Sequence, residues 1–301
     1  MARRFSQVDV FGSERYRGNP VAVVLDGEGL SADQMQQFAN WTNLSETTFV
    51  LPPAAPDADY RVRIFTPSAE LPFAGHPTLG TCHAWLAAGG QPRQPGVIVQ
   101  ECGAGLVSLR RTGAAPAGTG SAGTDLAGTD PPGAGRDGPR LAFAAPPVLR
   151  DGPVDEPLLA QIASVLGIGR ADIVDASWAD NGPGWVAVLL GDADAVLAVR
   201  PGQTDLDLGV VGPYPAGSPA AFEVRAFFPA GGITTEDPVT GSLNAALAPW
   251  LLTTGRAEAP YVVSQGTALG RAGRVHISRD DDGTIWVGGA TVSCVSGEVE
   301  L

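Results

Sequence analysis

Apolar and polar positions alternate along much of this chain, and the period changes from element to element. Residues 5–11 alternate every second position, the pattern of a strand with one buried face. A turn over 17–20 leads into a short apolar run at 21–25, which predicts a buried strand. Residues 43–50 and 60–66 predict two more, the second with Arg61 and Arg63 on one face. Further strands are expected at 185–190, 223–228, 261–264, 274–278, 284–287 and 290–301. The period lengthens after Ser31. Ser31 and Gln34 have capping-box spacing, and the helix they predict turns Met35, Phe38, Ala39 and Trp41 toward a core. A second helix of this kind is expected at 155–166.

Two other helical stretches have no polar face. One follows His76-Pro77 and carries Leu79, Cys82, Ala84, Trp85 and Leu86. The other follows Asp237-Pro238 and carries Leu243, Ala245, Leu247 and Trp250 to Leu252, with Pro249 expected to kink its later turns. Helices apolar all round are buried on all sides. Each is preceded by a similar strand, Arg63-Ile-Phe-Thr-Pro67 in one case and Arg225-Ala-Phe-Phe-Pro229 in the other. The chain therefore reads as a duplication with a spacing of about a domain length. In this alignment His76 matches Asp237, Gly80 matches Gly241, and Thr81 matches Ser242. Each half is expected to be an α+β unit, strands wrapped around one central helix. The boundaries are an N-terminal half over 1–112, completed by the strand at about 288–301, and a C-terminal half over 140–287. Residues 113–139, almost wholly Gly, Ala, Thr, Pro, Ser and Asp, are expected to form a flexible connection.

Composition narrows the chemistry. All 19 basic residues are arginine, so a lysine Schiff base to pyridoxal phosphate and a Walker A loop are both excluded. The net charge of −13 leaves no basic stripe for nucleic acid. No apolar run is long enough to span a membrane, and the first residues lack a signal-peptide core. Cys82, Cys102 and Cys294 have no paired spacing. Together these predict a cytoplasmic protein with no membrane or nucleic-acid partner. No spacing of histidines and carboxylates suggests a metal site. His83 is expected to make a satisfied core contact, and His276 to be exposed.

The helix starts carry the candidate chemistry. The first N–H groups of a helix have no internal partner and lie at the positive end of its dipole. Two such starts facing one cleft, with donors around Gly75-His76 and Gly241-Ser242, would hold a carboxylate without lysine or metal. Glu46 is the second candidate, since its strand is otherwise uncharged. A carboxyl in an apolar cleft keeps its proton to higher pH and can act as acid and base.

Five motifs occur in order along the chain: Gly18-Asn-Pro-Val-Ala-Val23, Asn43-Leu-Ser-Glu-Thr-Thr-Phe49, Phe73-Ala-Gly-His-Pro-Thr-Leu-Gly80, Glu236-Asp-Pro-Val-Thr-Gly-Ser242 and Ser264-Gln-Gly-Thr-Ala-Leu-Gly-Arg271. In these the chain resembles the PhzF family of phenazine biosynthesis. The resemblance implies a diaminopimelate epimerase-like fold with the active site between two similar halves. It also implies cofactor-independent isomerisation of a small anionic metabolite, like that of trans-2,3-dihydro-3-hydroxyanthranilate, and a homodimer. By resemblance Glu46 shuttles the proton, taking one from carbon and returning it elsewhere. His76, Asp237 and Ser242 orient the substrate and stabilise charge. Ser45, Gly75, Pro77 and Gly241 are expected to touch it. The epimerase relatives' two cysteines are missing from these turns, which disfavours a two-thiol racemase. A different amino-acid-like substrate, and a non-catalytic binding protein, stay open as alternatives.

Overall fold

A computed structural model describes residues 1–112 and 140–301. The connection expected over 113–139 lies outside the described residues. Among them, no helix is long and apolar enough to cross a membrane.

The N-terminal half contains strands β1 (Ala2–Val10), β2 (Asn19–Val24), β3 (Glu46–Leu51), β4 (Tyr60–Phe65), β5 (Glu70–Leu71), β6 (Val97–Cys102) and β7 (Gly105–Thr112), with helices α1 (Ala32–Thr42) and α2 (Gly75–Ala87). After β8 (Arg140–Ala144) come β9 (Arg150–Pro153), α3 (Glu156–Leu166), β10 (Ile173–Asp180), β11 (Val186–Leu190), α4 (Ala193–Ala198), β12 (Leu208–Pro213), β13 (Phe222–Ala230), β14 (Ile233–Asp237), α5 (Gly241–Thr253), β15 (Tyr261–Gln265), β16 (Gly273–Arg279), β17 (Ile285–Gly289) and β18 (Thr291–Glu300).

All strands belong to one hydrogen-bonded sheet, and its two halves repeat one pairing scheme. One half runs β18-β1-β2-β3-β4-β6-β7-β8, with β2–β3 and β4–β6 parallel. The other runs β9-β10-β11-β12-β13-β15-β16-β17, with β11–β12 and β13–β15 parallel at the same two places. Antiparallel pairing of β8 with β17 joins them. β8, which the sequence assigns to the second half, pairs with β7 on its other side and so forms the seam.

The duplication extends to side chains. Arg63 Nε and Nη2 donate to the two oxygens of Glu70 at 2.7 and 2.6 Å. Arg225 forms the same fork with Glu236 at 2.9 and 2.7 Å. Each pair braces a short hairpin strand, β5 on β4 and β14 on β13. The buried copy also ties down the end of α4, where Arg225 donates to the carbonyls of Val196 and Val199.

One apolar core runs through both halves and contains Leu79 and Cys82 of α2, Phe143 of β8, and Leu243 and Leu247 of α5. Each large aliphatic side chain buried there contributes roughly 1.5–3 kcal/mol. α5 continues through Pro249 to Thr253. The Ser31–Gln34 capping box forms as the sequence predicts, and α1 ends at Asn43 in the left-handed conformation. Trp41 departs from expectation. It is 79% exposed and stacks on Phe38, because the buried face of α1 is set by Met35, Phe38 and Ala39 and Trp41 lies beyond its edge.

The equivalence of the two helix starts also needs correction. α2 begins at Gly75 and α5 at Gly241, so Gly75 matches Gly241 and His76 matches Ser242. His76 does not match Asp237. Asp237 ends β14, four residues before Gly241 opens α5, whereas Pro77 lies inside the first turn of α2. The shared X-Pro step hid this offset.

The two starts abut backbone to backbone. A methyl group on Gly241 would lie 3.0 Å from the Gly75 Cα and 3.1 Å from the His76 nitrogen. Neither backbone can retreat without moving a buried helix. Gly241→Ala is therefore expected to lower stability by about 1–3 kcal/mol, the usual cost of overpacking. Urea unfolding followed by circular dichroism checks this, and an unchanged midpoint would show that the helix starts separate freely.

Candidate active site

Glu46, His76 and Asp237 converge beside the two helix starts. Glu46 comes from the first position of β3, His76 from the first turn of α2, and Asp237 from the end of β14 in the opposite half. Glu46 Oε2 stands 3.1 Å from His76 Nε2, with side-chain exposures of 15% and 5%. The two groups are close but not aligned as donor and acceptor. Among the described residues neither of these atoms has a hydrogen-bond partner.

Asn19, which the sequence singles out only as part of a motif, stands between His76 and Asp237. Its Nδ2 donates to Asp237 Oδ1 at 3.0 Å and to the Val239 carbonyl at 2.9 Å. The same nitrogen is 3.3 Å from His76 Nδ1. Its two hydrogens are already committed, so counting assigns a proton to His76 Nδ1, toward the Pro20 carbonyl. That tautomer leaves a lone pair on Nε2 facing Glu46. Asn19 Oδ1 is likewise buried without a partner. Three partnerless polar atoms at one spot are unusual in a folded interior and suit a place where a ligand supplies the missing partners.

The electrostatics make this a neutral contact and not an ion pair. Burial pushes the Glu46 carboxyl up to about 8, with help from the nearby charge of Asp237. Burial depresses His76 to about 3, although its hydrogen bond with the Pro20 backbone works the other way. At neutral pH Glu46 is thus protonated and His76 is neutral. Burial also raises Asp237, against the hydrogen bonds from Thr240 and Asn19.

Ser242 takes the place in α5 that His76 takes in α2. Its hydroxyl accepts from Trp185 Nε1 at 3.1 Å, and its carbonyl accepts from Asn181 Nδ2 at 2.9 Å. Gly75, Pro77 and Gly241 are buried in the two first turns, and Ser45 is half-buried next to Glu46. Neither helix start has a side-chain cap. Two cavities of about 510 and 380 Å³ lie along the far end of α5 and contain none of these residues.

The other histidines stand apart. His83 is gripped by the hydroxyls of Ser293 and Thr291, each at 2.9 Å, which ties α2 to β18. His276, expected to be exposed, is half-buried against the Arg140 guanidinium at 3.1 Å. β8 follows β17 and β16 in the same sheet, and its Arg140 side chain lies against the ring. Among the described residues, no three His, Cys, Asp or Glu side chains gather as a metal site would require.

The profile of the phenazine biosynthesis-like family, PhzC–PhzF, matches residues 8–297. The chain belongs to this family. Its five motifs pointed there, and its fold is the diaminopimelate epimerase-like one. Antisense-enhancing sequence 1 of Schizosaccharomyces pombe is 34% identical over 98% of this chain and 97% of its own. The trans-2,3-dihydro-3-hydroxyanthranilate isomerase of Pseudomonas fluorescens is 34% identical over 88% of this chain and 86% of its own. The crystal structure of a PhzF-family protein from Bacillus anthracis superposes with a TM-score of 0.79 at 21% identity, covering 100% of both chains. The chain is an enzyme of this isomerase family.

The raised Glu46 carboxyl leads to a test of the site. Between pH 4.5 and about 8 the native state holds a proton that the unfolded chain has released. The part of the stability linked to Glu46 is then greatest below pH 4.5 and is lost progressively as pH rises toward 8. Glu46→Gln removes this loss, so its melting temperature should gain on the wild type between pH 5 and pH 8.5 in calorimetry. A constant difference would mean that Glu46 holds no such proton.

Proposed function

We propose that this enzyme is a cofactor-independent isomerase that moves a proton on a small carboxylate-bearing metabolite in a natural-product pathway. The observation that carries this reading is the buried Glu46 Oε2, without a hydrogen-bond partner 3.1 Å from His76 Nε2, beside two uncapped helix starts. The substrate's carboxylate would lie against the N–H groups of Gly75, His76, Gly241 and Ser242, where the two dipoles favour negative charge. Trans-2,3-dihydro-3-hydroxyanthranilate, the substrate named for relatives such as the Pseudomonas fluorescens enzyme, is the first compound to test.

Because Glu46 begins protonated, it acts first as an acid. It gives its proton to one carbon of the conjugated system, and the resulting carboxylate takes a proton from another carbon. This order reverses the one the sequence suggests. The enzyme ends in its starting protonation state, and no oxidant or cofactor enters the balance. His76, with its Nε2 lone pair toward Glu46, favours the protonated carboxyl over the carboxylate. Asp237 opposes ionisation of Glu46, and Ser242 presents a hydroxyl to the substrate from the other half.

Glu46→Gln is expected to lower kcat for trans-2,3-dihydro-3-hydroxyanthranilate by at least about 100-fold, the scale of lost general acid–base catalysis. In deuterated water it should lose label incorporation at the isomerised carbon. The wild type should lose kcat as pH rises past about 8. Full turnover by Glu46→Gln with the normal label pattern would remove Glu46 as the proton carrier. A wild type inactive on this compound but active on an amino-acid-like acid would move the substrate assignment and leave the mechanism intact.

A further inference from the structure

The fifth motif, residues 264–271, has no part in the chemistry above. Its Gln265 is fully buried at the end of β15 and uses every polar group it has. Oε1 accepts from the Thr240 backbone N–H at 3.0 Å and from Asn244 Nδ2 at 2.9 Å. Nε2 donates to the Thr240 hydroxyl at 2.9 Å and to the Asp237 carbonyl at 3.3 Å. The amide has only one workable orientation, because turned over it would set donors against the N–H groups of Thr240 and Asn244.

This arrangement directs the next hydrogen. The Thr240 hydroxyl already accepts from Gln265, so its own proton goes to Asp237 Oδ2 at 2.6 Å. Asn19 donates to the other oxygen, Oδ1, from the opposite half. Each Asp237 oxygen therefore has a fixed donor. Gly266 permits the approach. Its backbone is left-handed at φ +90°, and a methyl group there would fall 2.6 Å from the Pro238 carbonyl oxygen.

We propose that Gln265 is a positioning residue of the reaction: it commits the Thr240 hydroxyl to Asp237 and so fixes where the Asp237 charge stands relative to Glu46. The proposal rests on the reading of Glu46 as proton carrier. Asp237 is faced by Thr240 and Asn19 as donors, by Glu46 and His76 across the site, and by Glu236, whose charge is paired with Arg225. Without the Thr240 donor, Asp237 takes a proton more readily. Glu46 then loses the neighbouring negative charge that helps it keep its own proton.

The test compares Thr240→Val, Thr240→Ser and Gln265→Met with the wild type on trans-2,3-dihydro-3-hydroxyanthranilate. Thr240→Val and Gln265→Met are expected to lower kcat about ten- to a hundredfold, the scale of a misplaced catalytic group. KM should change by no more than about twofold. The alkaline limb of the kcat profile should move toward acid pH. Thr240→Ser, which keeps the hydroxyl, should recover most of the loss. Equal damage from Val and Ser with an unmoved limb would overturn the proposal. A second readout needs no turnover: the Asp237 carboxyl, labelled with carbon-13 and titrated by NMR, should take its proton at higher pH in both Thr240→Val and Gln265→Met. An unchanged midpoint there would also overturn the proposal. A wild type that turns nothing over would defeat the reading of the function, while the carboxyl titration still decides the role of Gln265.

Discussion

Gly75 and Gly241 touch at the first residues of two buried helices, and the arrangement of the site depends on that contact. No larger residue fits at either position without moving a helix through a packed core. The contact brings the positive ends of two dipoles together and leaves both without side-chain caps. Like partial charges at one point repel, and burial away from water makes this worse. The sheet imposes the geometry: β8 and β17 join its halves in one ladder, and β8 supplies Phe143 against Gly75. An anion between the starts would relieve the repulsion, which is why a carboxylate-bearing ligand suits this place.

The duplication makes this joint, and its breakdown at the joint makes the chemistry. The two halves repeat strand order, parallel steps and even the arginine–glutamate forks. They part where His76 stands opposite Ser242, and where Asp237 ends a strand whose N-terminal counterpart pairs Leu71 with Ile64. Glu46 has no acidic counterpart, because Leu208 opens the parallel strand β12 where Glu46 opens β3. One half therefore contributes the carboxyl and the imidazole, and the other the opposing charge and the hydroxyl. Asn19 is the strut between them, and Gln265 braces the second half from within. Both are amides, which donate and accept without adding a charge that burial would penalise.

Much of this was legible in the sequence. Periodicity located the two apolar helices because nothing polar interrupts them, and the Ser31–Gln34 cap marks a helix start by chemistry. Motif order identified the family and the fold. Other features were hidden for physical reasons. The matching of His76 with Asp237 followed a shared proline step, although only the three-dimensional equivalence of Gly75 and Gly241 shows where each helix begins. Trp41 and His276 were misplaced because a local period cannot tell which side chains another element covers. The linking role of Asn19 and the four bonds of Gln265 join residues some 20 to 220 positions apart, and no local pattern records them.

The proposed chemistry turns on a Glu46 that rests protonated at neutral pH, held there by burial and by Asp237. Infrared difference spectroscopy of the ligand-free protein tests it directly, with Glu46→Gln assigning the carboxylic acid band. The protonated band of Glu46 is expected to persist at pH 7 and to disappear around pH 8. A band that has already disappeared by pH 5.5, as for an exposed glutamate, would contradict it.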